Sequence, residues 1–525
     1  MTAPRSPTAR RFCAATGTST TTPSRGRATE MHIVVIPLDE RPVNTQIPAL
    51  VASIGGASIS LPPTAALPRF RTPADLDELA GWVREQSQDY EGASLVACID
   101  TLVFGGIIPA RITDDSVSQA LGRLDLLRTL KAGDPGLRII ATSLVMRASD
   151  SYSNQEEPTY WSDYGRELHA LGADLHRSLE LDIRDELAGP PSPSPVPAQV
   201  REDYEGRRLR NHMVNLATLD LVHEGVVSSL AVTADDTAYY SAGSAEQYWI
   251  GHWRRALPSL RNMLMYPGAD EVGATMTARA LVAGAHQPAI AVHCADEEGM
   301  LRIPSYENVP LSISVEAQIR ACDALPSSGD DADIHLVVHA PGPVNDDWWG
   351  STPEPEPEAA ALTASLVREL LASGKRVALA DVRYTNGADP VLVEDLLADG
   401  TFWSLSAYGG WNTAGNTIGA VLATAVAEYV GSERGELCER ARDIALWTRL
   451  LDDYLYQTRI RTEYYRSTGG QTAVIEDASA LAGLEAEVAE QMRAFIATHP
   501  QAPQVELVSA RLPWQRPFEV AVTLR

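Results

Sequence analysis

Short apolar runs alternate with amphipathic stretches along the chain from Met31 onward. The runs that have the length and composition of buried strands begin near His32, Ala57, Ser94, Arg138, Ser228, Met263, Ala289, Ile334, Arg376 and Phe402. Helical patterns such as TPADLDELAGWVREQ and EAAALTASLVRELLAS lie between them. Strands that alternate with helices in this way form parallel β-α units. The alternation therefore predicts an α/β fold.

The domain organisation follows from the number of candidate strands, which exceeds the eight of a single (β/α)8 barrel. We predict two Rossmann-like lobes with parallel sheets, at residues 31–287 with a helical insertion and at residues 288–430. A helical C-terminal extension covers residues 431–525. A (β/α)8 barrel with extra strands is the alternative. Residues 1–30 are rich in Ser, Thr and Arg without apolar periodicity, and we expect them to be disordered.

Composition excludes several classes of protein. A formal net charge of -26 argues against nucleic acid or an anionic membrane as a partner, because phosphate repels such a surface. The only lysines are Lys131 and Lys375, each just before a predicted strand, so Schiff-base, pyridoxal phosphate and P-loop chemistry are not expected. No apolar run approaches the roughly 18 residues of a membrane helix, and the five cysteines show no C-x-x-C spacing. A cytoplasmic protein fits these features best.

Several predicted strands end in Asp, beside Arg or Asn. In parallel α/β proteins the carboxyl ends of the strands line one edge of the sheet, and ligands bind there. A chain that repeatedly places carboxylates at this edge is expected to build one acid-rich site. We predict that the catalytic residues are among four carboxylates at these strand ends, namely Asp39, Asp100, Asp235 and Asp236.

The adjacent pair Asp235 and Asp236 is the strongest of these signals. Two close carboxylates do not both ionise readily, so one pKa rises and that group can serve as a general acid. The alternative is that one of the two only caps the following helix.

The residues predicted to bind substrate share the same strand-end positions. Asn and Arg side chains can hydrogen-bond hydroxyl groups, and aromatic faces beside them are typical of sugar sites. The predicted residues are Arg41, Asn44, Arg111, Arg147, Asp270, Asn386, Asp389, Tyr408, Trp411, Asn412 and Asn416.

Long motifs spread over nearly the whole chain carry a family resemblance. They are PLDERPVN, DTLVFGGIIPAR, RASDSYSNQEEPTYW, ADDTAYYSAG, YPGADEVGATMTARA, YTNGADP, AYGGWNTAGNTIG and LPWQRPFEV. With these motifs the chain resembles a bacterial family catalogued as domain of unknown function 4127. The resemblance implies a cytosolic bacterial protein of one architecture, and it brings no established activity or catalytic residue.

Three functions fit the predicted acidic site. The first is a glycoside hydrolase-like enzyme that acts on a small sugar by carboxylate acid/base catalysis, which needs no cofactor. The second is a Mg²⁺- or Mn²⁺-dependent hydrolase or phosphoryl-transfer enzyme, in which Asp oxygens hold a divalent metal. The third is a non-catalytic, two-lobed protein that binds a small molecule. In each case the expected partner is a small polar molecule.

Overall fold

Two parallel sheets form the framework of the protein in a computed structural model. The structure describes residues 31–89, 92–181, 195–349, 351–470 and 473–525. The predicted disorder of residues 1–30 lies outside the described residues, as does most of the Pro/Ser stretch AGPPSPSPVPAQV. The α/β class with two Rossmann-like lobes is confirmed, and two separate sheets replace the single barrel that was the alternative.

The first sheet contains six parallel strands in the order β2-β1-β3-β4-β5-β6. The four inner strands, β1, β3, β4 and β5, are almost entirely buried, as expected for strands covered by helices on both faces. The strands are β1 His32–Ile36, β2 Ser58–Ser60, β3 Ser94–Cys98, β4 Arg138–Val145, β5 Ser229–Ala234 and β6 Leu264–Pro267. The helices are α1 Pro42–Ile54, α2 Leu76–Asp89, α3 Ile99–Phe104, α4 Pro109–Ile112, α5 Val117–Arg123, α6 Asp125–Gly133, α7 Trp161–Leu181, α8 Ala198–His223, α9 Ala242–Ala256 and α10 Val272–Val282.

The second sheet contains five parallel strands in the order β11-β10-β9-β7-β8. Its central strand, β9, is buried along its whole length. The strands are β7 Ala289–His293, β8 Leu325–Ser327, β9 Ile334–His339, β10 Val377–Asp381 and β11 Ala407–Gly409. The helices are α11 Leu311–Ala321, α12 Pro357–Ala372, α13 Pro390–Ala398 and α14 Ala414–Arg434.

The C-terminal extension is helical, as predicted, and ends in an antiparallel hairpin. Its elements are α15 Glu439–Arg449, a π-helical segment Leu450–Ile460, α16 Arg461–Thr468, α17 Ala478–Ala497, β12 Leu507–Arg511 and β13 Ala521–Leu524. The loop between β12 and β13 contains Trp514 and Gln515, whose φ angles of 55° and 56° lie in the left-handed region. Non-glycine residues rarely adopt this backbone conformation, so the surrounding contacts must hold the turn in it.

A change of direction in each sheet creates a crevice at its carboxyl edge. In the first sheet β1 lies between β2 and β3, so the connections that follow β1 and β3 leave on opposite sides. In the second sheet β7 lies between β8 and β9 in the same way. Ligands of open α/β sheets bind at such switch points. Asp39, just after β1, and Asp100, just after β3, both lie at the first of them.

One hydrophobic core joins the two sheets. It includes Ile33 of β1 and Leu336 of β9, both fully buried, and much of helix α14. Helix α14 is buried along most of its length because it packs against α1 and α10 from the first lobe and α11 from the second. The two carboxyl edges are therefore held together by a shared apolar interior.

Two details differ from the predictions. The segment TFWS near Phe402 forms a 3-10 turn, and the strand predicted there begins later, at Ala407. The short strand β8 was not predicted, because its sequence LPS has no apolar run. None of the helices in the described parts of the chain is long and apolar enough to cross a membrane.

Candidate functional site

The crevice after β1 is occupied by a buried ion pair. The Asp39 carboxylate accepts hydrogen bonds from Arg41 Nε at 2.9 Å, from Arg41 Nη2 at 2.7 Å and from the Asn44 side-chain nitrogen at 2.9 Å. The same Arg41 bridges to Asp270, which follows β6, through Nη1 at 3.1 Å. All four side chains are buried. Asp39 and Arg41 from the β1–α1 loop and Asn44 from α1 are thus joined to Asp270, which follows the edge strand β6.

Loops of the second lobe approach Asp270 as well. The Asn412 amide lies 3.5 Å from Asp270 Oδ2, and the Asn416 side-chain oxygen accepts from the backbone N–H groups of Ala269 and Asp270. Asn412 has a φ of 61°, and Asn is one of the few non-glycine residues that tolerates this conformation. The predicted Asn pair of the second lobe therefore holds the Asp270 loop in place.

Asp235 and Asp236 both enter the same network, each through its own arginine. Arg111 Nη2 donates to Asp235 Oδ2 at 2.6 Å, and Arg147 Nη1 donates to Asp236 Oδ2 at 2.8 Å. The alternative role as a helix cap is not observed, because Ser241 caps the following helix α9. Neighbouring side chains on a strand point to opposite faces, but both reach one cluster here because they lie beyond the last strand residue, Ala234.

Two glutamates that were not predicted connect these arginines. Glu157 accepts from Arg147 Nε at 2.8 Å and lies 3.4 Å from Arg111 Nη1. Glu156 contacts the same two arginines, at 2.9 Å from Arg147 and 3.2 Å from Arg111. Both glutamates lie in the loop between β4 and α7, within the motif RASDSYSNQEEPTYW. A loop gives no periodic signal, so only that motif could have indicated them.

The C-terminal hairpin closes the network from the other end of the chain. Arg516 pairs with Glu156 and lies 3.4 Å from Glu519, and Glu519 lies 3.6 Å from Arg41 Nη1. The Trp514 ring lies 4.5 Å from the Arg41 guanidinium and 4.4 Å from that of Arg516. These residues were also missed; only the motif LPWQRPFEV could have indicated them, and it gives no sign that the tail returns to β1.

We call this connected set the open cluster. Ion pairs and hydrogen bonds around Arg41, Arg111, Arg147 and Arg516 connect its members. Asp100 is included because the charges of Asp235 and Arg111 act on it. The open cluster consists of Asp39, Arg41, Asn44, Asp100, Arg111, Arg147, Glu156, Glu157, Asp235, Asp236, Asp270, Asn412, Asn416, Arg516 and Glu519.

The acids of the open cluster differ in proton affinity. Burial, reinforced by the charge of Asp235, raises the pKa of Asp100 to about 7 and that of Asp236 to about 6. Burial also raises the pKa of Glu519 to about 7. In Glu156 burial acts in the same direction, but the charges of Arg147, Arg516 and Arg111 hold its pKa well below the usual range. Near neutral pH the cluster therefore contains both protonated and ionised carboxyl groups.

Solvent access singles out Asp236. Its side chain is 33% exposed, although protein and other charges crowd the carboxyl on its remaining sides. The side chains of Asp39 and Asp235 are only 2% and 9% exposed, and Asp100 is buried. Asp236 is thus the predicted catalytic carboxylate that a substrate can reach, while Asp39 and Asp100 are enclosed by protein.

The arrangement does not resemble a preformed metal site. Within the described residues no group of three or more His, Cys, Asp and Glu side chains is placed to hold a metal ion. Asp39, Asp235 and Asp270 each direct an oxygen at a guanidinium, and Asp100 accepts from the Leu144 N–H. A cation at this position would have to displace these donors.

Two predicted site residues belong to a different group, which we call the closed cluster. The Asp389 carboxylate lies 3.0 Å from His339 Nε2. Its other oxygen accepts from the Val391 N–H and so caps helix α13. The Tyr408 hydroxyl lies 3.5 Å from Asp381 Oδ2, which also accepts from the Asp389 N–H. All are buried, and with Asp453 they make up the closed cluster: His339, Asp381, Asp389, Tyr408 and Asp453. Asp389 and Tyr408 are therefore enclosed away from solvent.

The remaining predicted residues lie at the boundary of the open cluster. Asn386, with a φ of 62°, donates through its backbone N–H to the Asn412 carbonyl and through its side chain to Asp347. The buried Trp411 ring lies 6.5 Å from the Phe518 ring of the C-terminal hairpin. Both residues are close to the crevice without contacting the carboxylates of the open cluster.

Cavities elsewhere in the molecule lack this chemistry. One of about 380 Å³ lies at the amino edge of the second sheet, beside Lys375, Arg376 and Arg442. Another of about 340 Å³ is lined by residues near α4 and α5, including Asp114 and Arg123. Neither contains a member of the open cluster.

Comparison with known proteins gives the family. The model of a family described as "Protein of unknown function (DUF4127)" matches residues 33–523. The chain belongs to this family. The match covers both sheets and the C-terminal hairpin, so every member of the open cluster lies within the family region. No curated protein and no solved structure matched the chain.

Proposed function

We propose that this DUF4127 protein is a bacterial, cytoplasmic hydrolase of the glycoside hydrolase type, with Asp236 as the general acid. Its substrate would be a small sugar bound between the two carboxyl edges. Hydrolysis of a glycosidic bond needs a carboxylic acid that protonates the leaving oxygen, and the pKa of that acid must be near the working pH.

A single observation carries the proposal. Asp236 combines a reachable side chain with a pKa raised to about 6 by burial and by the charge of Asp235. An ordinary exposed Asp is almost fully ionised at neutral pH and is a poor proton donor. Asp236 keeps a useful protonated fraction, while the ion pair with Arg111 holds Asp235 in position beside it.

The surroundings support a polar, uncharged substrate. The carboxylates of the open cluster outnumber its four arginines, and each arginine already contacts at least one of them. A substrate anion would meet this surplus of negative charge at close range. Sugar hydroxyls can instead bond to the exposed carboxylate and amide oxygens, and aromatic faces such as that of Trp349, which is 36% exposed, suit the sugar ring.

Asp39 has a positioning role in this proposal. Its carboxylate is saturated by Arg41 and Asn44, so it holds the arginine that bridges to Asp270 and Glu519. A metal-dependent reaction, the second function expected from sequence, would require these same oxygens to leave their arginine partners. The ion pairs favour metal-independent chemistry.

The test is hydrolysis of a panel of methyl glycosides of hexoses and N-acetylhexosamines by the purified full chain. Asp236→Asn keeps the shape of the side chain but cannot donate the proton. We expect kcat/KM to fall by about 10²- to 10⁴-fold, the usual contribution of a general acid. Release of reducing sugar measures the rate.

The matched control is Asp150→Asn, which makes the same charge change on a side chain that is 67% exposed and outside the open cluster. It should retain the wild-type rate. Full activity of Asp236→Asn, or wild-type protein that hydrolyses no member of the panel, would refute the proposal. A sugar that binds tightly and is recovered unchanged would instead favour the small-molecule binding protein.

A further inference from the structure

A carboxylate of the second lobe lies near the segment that carries Asp236, with Tyr306 contacting both. Asp347 lies in the loop after β9, and its Oδ2 accepts from the Tyr306 hydroxyl at 2.9 Å. The Thr237 N–H, one residue after Asp236, donates to the Tyr306 carbonyl at 2.8 Å. The charges of Asp347 and Asp236 both act on the Tyr306 phenol and help to raise its pKa. Tyr306 is therefore adjacent to an acid from each lobe.

Asp347 is held in one orientation by three hydrogen bonds. Its Oδ1 accepts from the Trp349 N–H at 2.7 Å and from the Asn386 amide at 2.8 Å, while its Oδ2 accepts from the Tyr306 hydroxyl. Three donors fix the direction of a carboxylate. Asp347 is only partly buried, and the Tyr306 and Trp349 side chains beside it are 42% and 36% exposed.

A buried cation supports the same loop from behind. The Arg461 side chain is 1% exposed. Among the described residues no carboxylate lies within 4 Å of its guanidinium nitrogens. Its Nη2 donates to the Asn386 carbonyl at 2.8 Å, and its guanidinium lies near the rings of Trp349 and Phe518. Its charge interacts with Asp347 through the low-dielectric interior. The protein thus places a buried positive charge near this carboxylate.

From this geometry we propose that Asp347 is the catalytic base that faces the general acid Asp236, and that the glycosidic bond lies between them. This inference rests on the proposed function. The two acids approach Tyr306 at different ends, because Asp347 accepts from its phenol whereas Thr237, the residue after Asp236, donates to its backbone carbonyl. The reaction is then of the inverting type, in which a water molecule lies between the sugar and the base.

The reaction then balances without any other reactant. The Asp236 proton passes to the glycosidic oxygen while the bond between that oxygen and the anomeric carbon breaks. A water oxygen bonds to the anomeric carbon from the opposite face, and Asp347 takes one proton from that water. The products are the free sugar and an alcohol. Asp347 then releases its proton to solvent and Asp236 regains one.

The test compares two leaving groups on the same sugar. A 4-nitrophenyl group leaves readily without protonation, whereas a methoxy group requires the acid. We expect Asp236→Asn to lose about 10²- to 10⁴-fold with the methyl glycoside but less than about tenfold with the 4-nitrophenyl glycoside. Asp347→Asn should lose about 10²- to 10⁴-fold with both, because both need the activated water.

Asp346→Asn is the matched control, because it makes the same charge change one residue away in the same loop. It should behave like the wild type. Wild-type rates for Asp347→Asn with both substrates would overturn the inference, and the proposed function would stand if Asp236→Asn still showed its leaving-group split. Failure of Asp236→Asn to lose activity with the methyl glycoside would refute the proposed function itself.

Two measurements separate a catalytic from a structural role for Asp347. Azide added to Asp347→Ala should restore turnover of the 4-nitrophenyl glycoside and give a glycosyl azide of inverted configuration, because the small anion can attack without a base. Azide does not repair a misfolded protein, so absence of rescue in a variant with a wild-type unfolding temperature contradicts the inference. Proton NMR of the wild-type reaction should show inversion at the anomeric carbon, and retention would exclude the base role.

Discussion

The two lobes use the same sequence pattern, an Asp at the end of a buried strand, for different purposes. In the first lobe the acids of the open cluster lie among arginines, and the Asp236 side chain is partly exposed to solvent. In the second lobe the closed cluster gathers His339, Asp381 and Asp389 in the interior. Burial raises the pKa of Asp381 to about 6 and of Asp453 to about 8, so raised pKa values occur in both. A perturbed acid therefore indicates function only where a substrate can reach it.

Disrupting the closed cluster tests whether it serves stability and not activity, and we expect this test to show the largest effect. Asp389→Ala removes the cap of α13 and leaves the buried His339 Nε2 without the Asp389 carboxylate, its partner in the wild type. We expect a loss of about 2–4 kcal/mol in the free energy of unfolding, the sum of a lost helix cap and a buried polar atom left without a hydrogen bond. The kcat of the folded fraction should stay at the wild-type value.

Chemical denaturation and active-site titration measure these two quantities. Asp389→Asn, which keeps the cap acceptor, should lose less stability. A large fall in kcat with unchanged stability in Asp389→Ala would show that the closed cluster takes part in the reaction.

A second test compares how the stability of the wild type and of Asp100→Asn depends on pH. The pKa of Asp100, about 7, lies above its usual value of 3.8, so between these values the folded state holds a proton that the unfolded chain releases. Wild-type stability should therefore fall as pH rises through this window. Asp100→Asn cannot lose a proton, and its stability relative to the wild type should rise across the window by roughly 1.4 kcal/mol for each pKa unit.

Urea unfolding at intervals between pH 4 and pH 8 gives both curves. Asp381→Asn is the companion from the closed cluster, and its window should end lower, because the pKa of Asp381 is about 6. Parallel curves for wild type and Asp100→Asn would contradict the assigned protonation.

The smallest expected effect concerns Arg147, an arginine of the open cluster. Arg147 lowers the pKa of Asp236 against burial and the charge of Asp235. Arg147→Met removes this charge, so the pKa of Asp236 should rise further, by about one unit. The general acid would then stay protonated to higher pH, and the alkaline limb of the kcat/KM profile should move upward by the same amount.

Arg383→Met is the control from the second lobe, where Arg383 contacts Glu356 and the Ala340 carbonyl. Its alkaline limb should not move. A limb that moves downward in Arg147→Met would show that Asp236 is not the titrating acid.

The sequence predicted the sheets well because buried parallel strands are continuous apolar runs. It predicted the meeting of Asp39, Asp100, Asp235 and Asp270 for the same reason, since parallel strands end at one edge. It did not separate Asp389 from these, because a strand-end Asp looks the same whether solvent or a neighbouring helix covers it. That distinction depends on the packing of the π-helical segment, which carries Asp453 against the second sheet.

The residues missed by sequence lie in segments without periodicity. Glu156 and Glu157 occupy a loop, and Asp347 lies in a loop after β9. Arg516 and Glu519 follow the helical extension, and their position depends on how that extension folds back. Local patterns cannot report a contact that is set by the path of a long connection.

The return of the C-terminal hairpin to β1 has a consequence for protein synthesis. Trp514 donates to Glu40, a partner 474 residues earlier in the chain. A nascent polypeptide that has completed both sheets on the ribosome still lacks Arg516 and Glu519. Contacts between such distant positions form late in folding. The open cluster would then be completed only after translation has passed Arg516 and Glu519.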